Sequence, residues 1–434
     1  MEFPHMYCIR RKMDAPKIDD IRAAVIRELS GLDLASRIKP GDRIAVTAGS
    51  RGINHIDLIL KTVIDVLKTH EALPFIVPAM GSHGNGDALG QLEILKSLKI
   101  SEDTMGVPIL SSMEVVQIGV SSHGFPVLVD KHAATADKVV VMNRVKPHTE
   151  FEGPIESGLM KMMAIGLGKH TGCFNVHKQT VNFGYSRVIP EIGSIILDRL
   201  PVLFGMGIVE NIHDETACIK ACLPEQFITM ETGLLKMAKT YMARLPFDHI
   251  DILIIDEMGK NISGTGMDTN VIGRIMFVGE KEPETPKITR IVVLDLTGAS
   301  HGNAVGIGLA DFTTQKMIKK LDLSVMATNA ITAMTPEKAR IPVGLPTDRA
   351  AIEAALQTIG AVAPLDARII HIKNTLEMGT FHISHSLKAL IKDRKDLILS
   401  EELGPLSFDD TGGLSPFMVG DMIPVAQHAT RMPS

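Results

Sequence analysis

The chain contains no tryptophan, and only 4% of its 434 residues are aromatic. It carries Lys+Arg 45 against Asp+Glu 50, for a net charge of -5. A nucleic-acid binder wants a basic surface and rings for stacking bases, so that class is excluded. Cysteine is also scarce. Four cysteines cannot build a disulfide framework, and Cys218 and Cys222 stand in a C-x3-C spacing that is neither a redox pair nor half of a usual zinc ribbon. No uncharged apolar run approaches the ~18 residues of a membrane span. The opening segment MEFPHMYCIRRKMD has charges where a signal peptide would need an apolar core. These features predict a protein of the reducing cytoplasm, away from the membrane. Hydrophobic residues make up 45% and charged residues 22%, enough apolar material for sizeable cores in two or three domains. The 16 histidines are the unusual abundance, several of them beside glycine or proline where site edges lie.

Short β-branched runs alternate with stretches of helical period, the pattern of layered α/β domains. Strands are expected at Arg43 to Thr47, Leu73 to Pro78 and Lys138 to Met142, and helices at His55 to His70 and Asp87 to Lys99. Pro154 to Gly168 reads as a helix start and a mostly buried helix. Beyond Pro246 the pattern restarts, with strands expected at Asp251 to Asp256, Thr289 to Leu296, Asp322 to Thr328 and Arg368 to Ile372, and helices at Asp311 to Lys320 and Asp348 to Ile359. The expectation is two α/β domains, residues 1–245 and 246–434, with a site in the cleft between them. The Gly-rich loop Gly259 to Asn270 is expected to reach across that cleft.

In the first half each polar, glycine-rich loop follows a strand, and open α/β sheets place sites at the carboxyl ends of their strands. The candidates are Arg51, His83, Lys146, His148, Lys161 and His177. Singly, each has an ordinary reading: a loop histidine is usually a turn residue, and a lysine on a buried helix usually snorkels from its edge. Familiar motifs do not fit. GSHGNG after a strand lacks the G-K-[ST] of a P-loop, and the chain has neither H-E-x-x-H nor G-x-S-x-G.

Taken together, the segments Gly49-Ser50-Arg51, Met80-Gly81-Ser82-His83, Lys146-Pro147-His148, Gly158-Leu159-Met160-Lys161 and Asn175-Val176-His177 resemble the lactate racemase family. Those are the nickel-pincer-nucleotide enzymes that racemise or epimerise 2-hydroxy acids. The intervals from Arg51 to His177 are 32, 65, 13 and 16 residues by subtraction. The resemblance runs over roughly residues 43 to 187. It departs at Ala48, where lactate enzymes tend to have an acidic residue, and at Asn270 and Arg274, where they usually supply a glutamine and a lysine.

The resemblance implies an isomerase working by hydride transfer on a small anionic 2-hydroxy acid, with a cofactor made by separate enzymes. It implies that Lys161 carries the nickel-pincer nucleotide covalently and that His177 ligates its nickel. A square-planar nickel already held by soft donors needs only one protein imidazole, in keeping with the lack of a metal-ligand cluster in the sequence. His83 and His148 are then the acid/base pair, one on each face of the substrate, since imidazoles exchange protons near neutral pH. Arg51 and Lys146 hold anionic groups. Gly153 and Ser157, near the expected helix start, are candidates for cradling the nucleotide phosphate. Asn270 and Arg274 are the candidates from the second domain. Two other readings use the same residues: a metal-dependent hydrolase with His83, His148 and His177 as ligands, and a non-catalytic nucleotide-binding protein.

Overall fold

The computed structural model describes residues 1–12, 15–242 and 244–417. Its strands, in chain order, are β1 (His5–Arg11), β2 (Arg43–Ala48), β3 (Leu73–Pro78), β4 (Val115–Val120), β5 (Pro126–Asp130), β6 (Lys138–Arg144), β7 (Val202–Glu210), β8 (Thr216–Cys222), β9 (His249–Met258), β10 (Lys287–Leu296), β11 (Phe312–Thr314), β12 (Val343–Leu345), β13 (Ile369–Ile372), β14 (Thr380–Ser384) and β15 (Leu397–Pro405). One sheet has the order β3-β2-β6-β7-β8, a second β12-β11-β10-β9-β13-β14-β1-β15, and β4 and β5 form a hairpin. In the first sheet β2, β3, β6 and β7 run parallel, and only β8 is antiparallel. In the second, β9 to β13 are parallel. Strands such as β6 and β9 read as near-continuous apolar runs because helices cover both faces of a parallel sheet.

The result is two α/β units, as expected, with one reassignment of chain. Strand β1 pairs with β14 and β15, so His5–Arg11 belongs to the C-terminal sheet although it opens the chain. Seven residues at an N-terminus carry no sign of their partner when that partner lies more than 370 positions away, as Tyr7 does from Ile383.

Three local expectations are corrected. Asp322 to Thr328 is not a strand but the start of the helix Leu323–Thr332, because the Asp322 carboxylate caps it by accepting from Ser324 N and Val325 N. Within Asp311 to Lys320, Phe312–Thr314 is buried strand β11, and only Gln315–Ile318 is helical, capped by Thr314. The expected helix from Pro154 begins only at Leu159, runs to Lys161, and passes into a π turn, Met162–Gly166. A left-handed Lys169 (φ 53) then opens the helix Lys169–Phe183. Among the described residues no helix is long and apolar enough to cross a membrane.

Candidate active site

The carboxyl ends of β2, β3 and β6 deliver Arg51, His83 and the Lys146-to-Glu150 turn to one place, where the second unit closes over them. The loop after β9 makes the closure. Asn270 Nδ2 donates to the His148 carbonyl at 3.1 Å and Thr269 Oγ1 to the Thr149 carbonyl at 2.7 Å. The guanidinium of Arg51 lies 3.6 Å from where a side chain on Gly264 would begin. A buried ion pair adds to the contact: Lys338, 1% exposed, meets Glu150 at 3.1 Å. Glu150 also accepts from the Tyr185 hydroxyl at 3.3 Å.

His148 sits against Phe151 and Tyr185, with ring centroids 4.7 and 5.5 Å away. Its Nδ1 accepts the backbone N–H of Glu150 at 3.0 Å, so the neutral ring carries its proton on Nε2. Burial, then the charges of Lys161, Lys338 and Lys146, push this imidazole well below its ordinary value. His83 shares a short contact with the Ser50 hydroxyl through Nδ1, and either atom can donate. The protein packed around it, with Arg51 and Lys161, holds it down at about 4. His83 is itself exposed, and with its value lowered it is neutral at pH 7.

Lys161 is lowered to about 8 by burial, against the raising pull of Glu150 and with the repulsion of Arg51. His177 lies edge-on to Tyr185, centroids 6.1 Å apart, and is lowered by burial despite Glu150. Lowered in this way, the ring is neutral at pH 7 and keeps a nitrogen lone pair of the kind a metal takes. Lys260 joins from the second unit, lowered to about 8 mainly by burial, its ammonium on the carbonyls of Gly264 and Val305 at 2.8 and 2.9 Å.

Buried carboxylates pin these elements from behind. Glu156, fully buried, accepts from His148 N at 2.7 Å, Gly153 N at 3.2 Å and the Lys239 ammonium at 2.6 Å. Glu231, also fully buried, accepts from Met160 N at 3.1 Å, and burial pushes it up to about 7. Gly158 is required there, since a Cβ would lie 2.2 Å from Glu231 Oε1.

The structure thus brings together Arg51, His83, Lys146, His148, Lys161, His177 and Asn270. It does not support three of the anion-binding expectations. Arg274 is taken up by the carbonyls of Leu309, Ile288 and Thr289 and by Asp311 at 2.9 Å. The Gly153 N–H is taken by Glu156, and Ser157 exchanges both backbone bonds with Lys146. Neither offers a free N–H to a phosphate, and the helix they were expected to start begins beyond them. Sequence reasoning missed Ser50, Glu150, Tyr185, Lys260 and Lys338. Ser50, Glu150 and Lys260 sit within or beside loops already singled out, and were findable there; Tyr185 and Lys338 carry no local signal.

Residues 9–187 match the family model of the lactate racemase N-terminal domain. Over those residues the chain is similar to that domain family. Among solved structures, the lactate racemase apoprotein from Thermoanaerobacterium thermosaccharolyticum is similar with 13% identity and a TM-score of 0.49, over 85% of this chain and 94% of that one. No curated protein sequence matches the chain.

Proposed function

We propose that the protein is an isomerase of the lactate racemase kind, a racemase or epimerase acting on a small anionic 2-hydroxy acid. The observation that supports this best is the meeting, in one cleft, of a lysine lowered to about 8 with three imidazoles held mostly neutral. The cofactor the resemblance implies fits these residues. Lys161 has the apolar surroundings of Met160, Met162 and Met163 that favour the neutral amine needed for acylation. His177, kept neutral by burial, has a nitrogen to give to nickel. The nickel-pincer nucleotide, when bound, supplies the carbon that takes and returns the substrate hydride.

The chain's own residues do the rest. Arg51 and Lys260, from opposite units, have no carboxylate in direct contact among the described residues, and they attract the substrate carboxylate and the nucleotide phosphate. His83 enters as proton acceptor, because Ser50 can take its Nδ1 proton as a hydrogen bond and leave Nε2 open. In the neutral ring of His148, Nε2–H is a hydrogen-bond donor, fixed by the Glu150 N–H on Nδ1. To give a proton to the alkoxide, His148 must first become the imidazolium, which carries a proton on Nδ1 and so requires the Glu150 bond to open. Entry of anions into the cation cluster lifts both imidazoles toward neutral pH, where acid/base exchange is most effective. The closing loop Gly259 to Asn270 excludes water from the hydride step.

Among the described residues no three His, Cys, Asp or Glu side chains gather to hold a metal by themselves, so the hydrolase reading lacks its ligand set. The test is co-production with pincer-making enzymes, followed by intact mass, nickel content and peptide mapping. An adduct on the Leu159 to Lys169 region, with bound nickel and loss of optical purity in a single-enantiomer 2-hydroxy acid, is expected. With cofactor supply proven active on a known acceptor, an unmodified Lys161 would sink the reading.

A further inference from the structure

We infer that Gln91, held by the buried Lys169–Asp130 ion pair, is a positioning residue that fixes the His83 loop against the segment running from Lys161 to His177. The significance for catalysis rests on the function proposed above; the positioning itself does not.

Gln91 lies in the helix Ala88–Ser97 and is fully buried. A buried amide is costly unless its donors and acceptor are used, and here they are. Nε2 donates to the Gly81 carbonyl at 3.1 Å and the His83 carbonyl at 3.3 Å, and Oε1 accepts from the Lys169 ammonium at 3.2 Å. One side chain therefore grips the loop on both sides of Ser82.

Lys169 supplies the far anchor. It is 0% exposed and pairs with Asp130, also 0% exposed, at 3.2 Å. Its ammonium also bonds the carbonyl of Pro78, the last residue of β3. Its φ of 53 puts a non-glycine residue in left-handed space, a strained backbone for an L side chain. Strain together with a buried charge persists only where the surroundings over-determine it. Lys169 is in the same continuous segment as Lys161 and His177, so the network links that segment to the His83 loop.

The loop also has no slack against this helix. A Cβ on Gly84 would lie 2.6 Å from Gln91 N, and one on Gly90 2.2 Å from the Gly84 carbonyl. Backbone meets backbone there, beside the Gln91 amide bonds to the Gly81 and His83 carbonyls.

The test reads the imidazoles directly and needs neither cofactor nor substrate. Full-length protein labelled with 15N-histidine is titrated by NMR, with His83→Asn assigning the His83 signals. Two variants are compared. Gln91→Glu keeps an acceptor for Lys169 but turns an oxygen toward the two loop carbonyls, and Gln91→Met removes the grip without adding charge. In both, the His83 titration is expected to move up by at least about one pH unit toward its ordinary value, while His148 and His177 stay put and the melting temperature drops by only a few degrees. A rise in Gln91→Glu alone is the new charge acting through space, and it overturns the proposal. So does an unchanged His83, or an equal shift of all three histidines. If Gln91→Glu does not fold, Gln91→Met decides by the same reading. Failure of cofactor loading with a shifted His83 would remove the function and leave the positioning intact.

Discussion

The lowered Lys161 amine makes a prediction that needs no knowledge of substrate. With a value of about 8 in place of the ordinary 10.5, about one amine in ten is neutral at pH 7, against roughly one in three thousand for an unperturbed lysine. Only the neutral form attacks an acylating reagent. Brief labelling with a small amine-reactive reagent, quantified by peptide mass spectrometry across pH 6 to 11, should give a Lys161 profile with its midpoint near 8. Lys260, also at about 8, is the internal companion, and both should lead surface lysines by one to two orders of magnitude at pH 7 per accessible amine. Two variants test the cause. Glu150→Gln removes the one carboxylate that raises Lys161 and should shift the midpoint down. Arg51→Gln removes a repelling cation and should shift it up. A Lys161 midpoint at 10 or above, or a midpoint indifferent to both changes, would refute the argument from burial and cation crowding.

Further outcomes follow from the same geometry. His83→Asn and His148→Asn should each lower turnover of a proven substrate by about 10² to 10⁴, the usual contribution of a positioned acid or base, while nickel content stays level; nickel lost with either and retained in His177→Ala would reverse the assignments. Lys338→Met strands the Glu150 carboxylate between the two units and should cost about 3–5 kcal/mol in denaturant unfolding, a midpoint within error of the parent counting against the pair. Glu231, raised to about 7, is bound to a proton in the fold at pH values where the unfolded chain has released it, so its contribution is fully present below about 4.5 and is lost as pH rises through 7. Glu231→Gln should therefore gain on the parent protein from pH 5 to pH 8 in denaturant-unfolding free energy, by about 2.5 kcal/mol, and parallel pH curves would remove that reading.

The strands of the first sheet were legible because apolar runs of five or six residues between turn signals leave few alternatives, and the loops after them flagged Arg51, His83 and His148. The second half was less so. Leu323 to Thr328 has no charge to interrupt it, and what makes it helical is the capping carboxylate of Asp322, which also suits a turn before a strand. Phe312–Thr314 was absorbed into a helix because three buried residues are too few to show a period. The supporting groups stayed hidden for another reason. Glu156, Glu231 and Lys169 look like surface charges in sequence, and only the fold reveals that they are turned inward onto backbone groups more than 70 residues away in the case of Glu231 and Met160. Lys338 and Tyr185 likewise gain their meaning from Glu150, which neither local period nor spacing connects to them.

The π turn at Met162–Gly166 and the left-handed Lys169 act as a gearing between two side chains. In an unbroken α-helix, residues 16 positions apart point about 160° away from each other, so Lys161 and His177 would face opposite sides. The wider turn and the change of axis at Lys169 bring both toward Glu150, whose charge acts on each. Residue count between them is therefore a dimension of the site: losing one position from 162–168 would rotate His177 by about 100° relative to Lys161, with every side chain of the site still present. The loop tip at Gly264 has no such arithmetic. Length there alters reach, whereas length here alters aim.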